Sequence, residues 1–270
     1  MQQTLKKKLY IIVGSLSLLI LAAIFLLRDT ATPATRDLDQ IIQSGTIYVV
    51  SEQNDTGFYV TPDSVSGFQY EILKRFAEKL SVEIEIATEN DLKSCIDKLN
   101  KGKYDIITRY IPTTTEWQQK IAFSSPLIIS RQMLVQLTDS FGQPPVRTLR
   151  ELEQDTIYIP SNSPNKMRLN HLAEESAIDF SVLEMDNQTQ QSMVTMVSEG
   201  KIKNTICYEQ LAVKLSMEYG NIDISLPLSL PQPYGWAVNK ESTKLLNELN
   251  SFLTDFIGSM DYWNLYQKYY

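Results

Sequence analysis

Few side chains in this sequence can do chemistry, and their spacing narrows what that chemistry is. Arg109 stands in DIITRYIPTTTE, between a short apolar run and a row of hydroxyls able to cap a helix. A lone guanidinium beside a helix N-terminus suits a carboxylate or similar anion, because its planar fork makes paired charge-assisted bonds. Tyr110 follows it directly. Glu52 comes just after the first β-branched run and could accept an ammonium group. Glu209 ends the NTICY run as a second acid, where an unpaired charge has no packing role. Ser161-Asn162-Ser163 precedes Pro164, and its hydroxyls and backbone N–H groups can take an anion or simply cap a helix. Phe58 and Tyr59 offer aromatic cover in the loop after Glu52. The single histidine, His171, excludes mechanisms that need two imidazoles and is expected to face solvent. The two cysteines, Cys95 and Cys207, cannot build a four-thiolate zinc site or a disulfide framework, and read as buried free thiols. Neither a metal nor a cofactor is expected.

These residues sit on an alternating pattern of strands and helices. The spacing predicts a strand over 46–50 and a helix over 67–80, with Phe68, Ile72, Leu73, Phe76, Ala77 and Leu80 on one stripe. A strand over 82–87, a helix over 91–99, a strand over 104–107 and a helix start at 113–116 follow. The second series has strands at 156–159, 180–183 and 205–208, with helices from Ser163, over 188–198 and over 211–219. One amphipathic helix closes the chain, with Leu245, Leu246, Leu249, Phe252, Leu253 and Phe256 on one face. Two α/β lobes follow from this order. Ligands in such folds lie at the carboxyl ends of strands and in the cleft between domains.

Composition and charge remove whole classes of function. The 270 residues are 43% hydrophobic and 21% charged, an ordinary globular balance that excludes wholesale disorder. The first 28 residues carry Lys6, Lys7, Lys8, Arg28 and no acid, leaving 21 basic against 32 acidic groups in the remainder. A surface that acidic repels phosphate backbones, so nucleic acid is not expected as a partner. Lys6-Lys7-Lys8 precedes an uncharged stretch from Leu9 to Leu27, closed by Arg28. Nineteen residues at about 1.5 Å rise nearly cross a hydrocarbon core of about 30 Å, and the lysines favour the cytoplasmic side. Residues 1–28 are thus expected to be a transmembrane signal anchor or a cleaved signal peptide, with 9–27 in the inner membrane and 29–37 as a polar linker. The working part is expected to be extracytoplasmic, periplasmic and either membrane-anchored or secreted. No cysteine follows the apolar stretch, so a lipoprotein signal is excluded.

Five segments in order resemble one family: GTIYVV, GFQYEILKRFAEKL, LNKGKYDII, TTTEWQQKIAFSSPL and YGWAVNK. The chain from about Leu38 to Tyr270 resembles the family 3 solute-binding proteins, extracytoplasmic receptors of amino-acid importers. The TRYIPTTTE wording is most similar to the substrate-binding-like N-terminal domain of membrane-bound lytic transglycosylase F. The resemblance implies a two-lobed periplasmic-binding-protein (Venus flytrap) fold. Residues 38–131 plus 236–270 would form the first lobe and 132–235 the second, with hinge crossings near Gln132 and Pro231.

The resemblance also implies a pocket, and this sequence departs from it. The family's carboxylate-clamping Arg falls on Trp117, its assisting Thr on Pro112 and its covering aromatic on Leu92. Arg109 is the available replacement clamp. Trp117 is either a filler of the vacated space or a stacking floor for a ring. Ser161-Asn162-Ser163 matches the family's Ser-Gly-Thr turn, and Glu209 falls where an Asp accepts the ligand ammonium. The expected function is a binding module that closes on a small anionic or zwitterionic molecule: an amino acid, a short peptide or a cell-wall fragment. Delivery to an importer permease and regulation of a cell-wall-processing enzyme are both open. The alternatives are a module without ligand and a carboxylate-based dehydratase or lyase using Glu209 or Glu52. Catalysis is not expected, and the sequence ends too soon after the closing helix for the lysozyme-like domain that accompanies the transglycosylase branch.

Overall fold

The computed structural model describes residues 35–54 and 56–270. The expected membrane segment at 9–27 and most of the 29–37 linker lie outside the described residues. Among those described, no helix is long and apolar enough to cross a membrane. The end of the expected linker is tied down. Asp37 caps the first helix, α1 (Leu38–Ser44), and Arg36 reaches the buried carboxylate of Asp105 at 3.4 Å.

The chain then alternates as its hydrophobic spacing dictates. The first series is β1 (Thr46–Ser51), a small hairpin of β2 (Tyr59–Val60) and β3 (Val65–Ser66), α2 (Phe68–Leu80), β4 (Glu83–Thr88), α3 (Leu92–Asn100) and β5 (Ile106–Pro112). The short helix α4 (Thr115–Lys120) leads to β6 (Ala122–Phe123) and β7 (Ile128–Ser130). The second series runs β8 (Gln132–Leu137), β9 (Thr156–Pro160), α5 (Lys166–Ser176), β10 (Ser181–Met185), α6 (Gln190–Ser198), β11 (Asn204–Tyr208), α7 (Glu209–Tyr219) and β12 (Ile222–Asp223). The chain then returns through β13 (Gln232–Val238) to α8 (Thr243–Phe256) and α9 (Met260–Tyr269).

Two sheets result. The first has the order β4-β1-β5-β13-β6, with β7 also paired to β13, and the second the order β10-β9-β11-β8-β12. β4, β1 and β5 are mutually parallel, as are β10, β9 and β11. The inner strands β5 and β11 are buried on both faces, as crossover connections require, while the edge strands β4 and β10 are partly exposed. On β5, Ile106 and Tyr110 join one core while Ile107 and Ile111 join another, the two-residue alternation of a pleated strand. One apolar core runs continuously from the first sheet into the second through Tyr110 and Tyr208.

The chain passes between the sheets at residues 130–132 and 223–232. Three differences from the sequence reading bear on the site. Residues 232–235 belong to the first sheet, because Gln232–Tyr234 pair with β7, so that sheet takes the chain back four residues before the expected boundary. β5 runs to Pro112 rather than stopping near 107, because antiparallel pairing with β13 continues to Tyr234↔Pro112. The closing segment is two helices, not one. Gly258, with φ +91°, turns the chain between them, and Ser259 caps α9 by accepting from the Tyr262 N–H at 3.1 Å.

Candidate functional site

The carboxyl ends of both sets of parallel strands converge on one interlobe cleft. Its floor is an enclosed cavity of about 30 Å³, room for a water or two, touched by Glu52, Thr108, Arg109 and Tyr110 from the first lobe. Ser161, Asn162, Ser163, Gln190 and Tyr208 face it from the second. The cleft opens on one side into a groove of about 510 Å³ beneath Trp117, Ile96 and Met167. On the other side lies a mouth of about 670 Å³, walled by amides such as Gln53, Asn54, Asn90 and Asn187, by hydroxyl side chains and by the carboxylates of Glu89 and Asp91.

The charged centre of the floor is the pair Arg109–Glu52, with Nη2 to Oε1 at 2.6 Å. Both side chains are largely buried, at 12% and 16% exposure. Arg109 is therefore mid-strand in β5, not past its end, and its second nitrogen donates to the carbonyls of Glu89 (3.3 Å) and Asn90 (2.9 Å). Those carbonyls close the β4–α3 loop, so the guanidinium is fixed in the plane of the strand ends. Burial pushes the neighbouring Glu89 carboxyl up. Hydrogen bonds from Lys98 and Ser94 and the Lys98 and Arg109 charges outweigh it and hold it below the usual range.

The loop after Glu52 is organised by Asn54. Its Oδ1 accepts from the Thr56 N–H (3.1 Å), the Thr56 hydroxyl (3.0 Å) and the Gly57 N–H (2.6 Å). The Thr56 and Gly57 carbonyls in turn accept the first N–H groups of α2. Gly67 allows this approach: a Cβ there would stand 2.3 Å from the Gly57 oxygen, and its φ of +128° excludes other residues. The consequence is that the α2 N-terminus, a ready anion site, is filled by protein.

The second-lobe turn is also occupied. Asn162, at φ +56°, donates its N–H to Glu184 at 2.8 Å, and the Ser161 hydroxyl donates to Asp186. Lys166 pairs with Glu184 and, more than the opposing burial, holds that carboxyl below its ordinary value. Ser163 supports the turn through the Asn165 N–H (3.3 Å). The α5 helix begins at Lys166, three residues after the expected Ser163 cap, because the Ser163 carbonyl accepts the Lys166 N–H in a preceding turn.

The structure thus gathers Glu52, Arg109, Tyr110, Ser161, Asn162 and Ser163 around one cavity. Four expected residues lie elsewhere. Glu209 opens α7 at the first crossing, where its carboxylate pairs with Arg131 at 3.1 Å and its N–H donates to Ser130 Oγ. It is a hinge brace there, because α7 begins two residues earlier than the periodicity implies. Phe58 is buried against Tyr70, ring centroids 6.0 Å apart, and Tyr59 lies in the β2–β3 hairpin. Trp117 lines the side groove with Lys120 Nζ 4.8 Å over its ring, while its indole N–H is buried without an acceptor. His171 is exposed, and Cys95 and Cys207 are buried free thiols. Sequence reasoning missed Tyr208, Thr56 and Gln190. Tyr208 ends an apolar strand, a position whose carboxyl-end location was the available signal.

Both the sequence match and the geometry can now be set against known proteins. The model of the bacterial extracellular solute-binding proteins, family 3, matches residues 38–270. The chain belongs to that family. Among curated relatives it is 26% identical over 235 residues to membrane-bound lytic murein transglycosylase F of Desulfosudis oleivorans, covering 87% of this chain and 51% of that one. The corresponding protein of Saccharophagus degradans is 27% identical over 227 residues, covering 83% and 44%. The chain spans about half the length of these curated relatives. Among solved structures, a mutant of ArgBP from T. maritima superposes with TM-score 0.73 at 22% identity, covering 86% and 98% of the two chains. The ancestral amino acid-binding protein AncCDT-1, a precursor of cyclohexadienyl dehydratase, gives 0.72 at 19% identity, with the same coverage. At that identity these likenesses establish the two-lobed fold alone.

Proposed function

We propose that this chain is an extracytoplasmic binding module, joined to the inner membrane through residues 9–27, whose lobes close on a small zwitterionic or anionic molecule. Amino acids, short peptides and cell-wall fragments are the candidate ligands. The observation that carries the reading is the Glu52–Arg109 pair on the cleft floor. Two opposite charges held side by side are the complement of a zwitterion, which can take the carboxylate to Arg109 and the ammonium to Glu52. The amides and hydroxyls of the mouth, beside the Glu89 and Asp91 carboxylates, add polar partners for the rest of such a ligand. Amino-acid-binding neighbours of the same fold support the class.

A thermal-shift screen of amino acids, dipeptides and muropeptides tests it, since a ligand at about 100 times its Kd stabilises by about 2.7 kcal/mol. Arg109→Ala should then weaken binding by about 1.5–3 kcal/mol, the worth of a charged hydrogen bond. Unchanged affinity in that variant would remove Arg109 from the site and the proposal with it.

A second reading has its own support. The chain serves as a regulatory module for a cell-wall-processing enzyme rather than a feeder of a permease. Trp117 where receptors of importers carry an arginine, and transglycosylase F among the relatives, favour it. Crosslinking in intact cells separates the two by the class of protein captured.

A further inference from the structure

The lobes also touch each other directly, through side chains beside the floor cavity. The Tyr208 hydroxyl, from β11 of the second lobe, lies 3.2 Å from Thr56 Oγ1 in the first. The direction of that bond is fixed. Thr56 has one hydroxyl proton and gives it to Asn54 Oδ1 at 3.0 Å, so Tyr208 must be the donor. The Tyr208 ring stands edge-on to Tyr110 of β5, centroids 5.2 Å apart at 80°. Tyr270, delivered by the end of α9, donates to the Tyr110 hydroxyl at 3.2 Å. Thr56, Tyr110 and Tyr208 are all buried, and burial keeps both phenols protonated donors by raising them well above the ordinary tyrosine range.

This cluster lies on the hinge side of the cleft, since Tyr208 pairs with Gln132 at the first crossing and the Tyr110 ring stands 6.4 Å from that of Tyr234, just past the second. Tyr208 and Tyr110 are walls of the floor cavity, and with them in place only about 30 Å³ is left beside Glu52 and Arg109. An amino acid does not fit in that space. We propose that Tyr208, Thr56, Tyr110 and Tyr270 form an interlobe latch, which holds the cleft shut over the Glu52–Arg109 pair and must release before a ligand reaches it. The energetic logic is that of a minor binding-competent state: a ligand's apparent affinity falls by the fraction of molecules that are unlatched. A residue that grips ligand loses affinity when truncated, whereas a latch residue gains it.

The latch is tested without any ligand. Spin labels at Lys93→Cys and Met167→Cys, on opposite banks of the Trp117 groove, report cleft width by pulsed electron-electron distance measurement in the full chain. The native thiols Cys95 and Cys207 are buried and stay unlabelled. The expected result is a short distance in the wild type and a longer component, grown about five-fold for one lost hydrogen bond, in Tyr208→Phe and in Thr56→Val. Both variants keep the packing volume, and Tyr270→Phe supplies a third test from a different element. Wild-type distance distributions in all three variants, with circular dichroism showing them folded, would overturn the latch. That outcome leaves the zwitterion reading standing, since the labels sense closure and not binding. Failure of the ligand screen leaves the latch standing for the same reason.

Discussion

Arg109 and Glu52 neutralise each other in a place where neither is well solvated, so each residue's removal exposes the other's charge. Glu52→Gln is the more informative change. It leaves the guanidinium anchored by the Glu89 and Asn90 carbonyls but takes away the ammonium acceptor. Isothermal titration of an amino acid against its deaminated carboxylate should show the wild type preferring the amino acid and Glu52→Gln losing that preference. An unchanged ratio would mean the ammonium is held elsewhere. The thiols give a second residue-scale expectation. Burial pushes the Cys95 thiol up to about 11, and the Cys207 thiol is raised by burial as well. Since the thiolate is the reactive form, neither should react with a disulfide reagent in the native protein, and both should react in denaturant. Fast native labelling would show that the helix or strand carrying the reactive thiol opens.

Among the elements, the Asp37 carboxylate has an unusual share of the first lobe. Oδ1 accepts the Leu38 N–H at 2.8 Å and the Leu245 N–H at 2.7 Å, while Oδ2 accepts the Lys244 N–H at 3.1 Å. It caps α1 and α8 together, so Asp37→Ala should cost about 2 kcal/mol in chemical denaturation, with Asp37→Asn costing less. An effect below 0.5 kcal/mol would mean water replaces those bonds without penalty. This double cap also shows where sequence reading stops. The stripe on α2 and the β-branched runs of β1 and β4 were legible because local periodicity determines them. Asp37 read as linker, because its partners lie about two hundred residues away in α8. The site divides the same way. Arg109, Glu52 and the 161–163 turn were found because parallel strands put their carboxyl ends at a cleft. The pairing of Arg109 with Glu52 was not, since it depends on β1 and β5 being neighbours in register. Glu209 went to the hinge because α7 starts at that residue, a boundary that spacing alone leaves free by two positions.

At the scale of the whole molecule, the seam between the lobes and the docking of the N-terminal approach both rest on buried polar groups, and one of them makes stability depend on pH. Asp105 is 2% exposed; Oδ2 accepts the Tyr48 N–H at 2.8 Å, and Arg36 lies 3.4 Å away. Burial outweighs that hydrogen bond and the Arg36 charge, and lifts its carboxyl from 3.8 to about 6. The native state therefore holds this proton more tightly than the unfolded chain does. The stability it contributes is fully present below about pH 4 and is lost as pH rises through about 6. Partly exposed acids such as Glu89 and Glu184 work in the opposite direction, gaining as pH rises, so the total curve mixes both. Asp105→Asn isolates the contribution, because the amide keeps an acceptor for the Tyr48 N–H and cannot ionise. Denaturant unfolding at pH 4 and pH 7.5 should show the variant gaining on the wild type by on the order of 2–3 kcal/mol between the two. A difference that stays constant with pH would mean Arg36 holds Asp105 ionised throughout, and the 35–37 segment would then be fastened by an ion pair insensitive to acid.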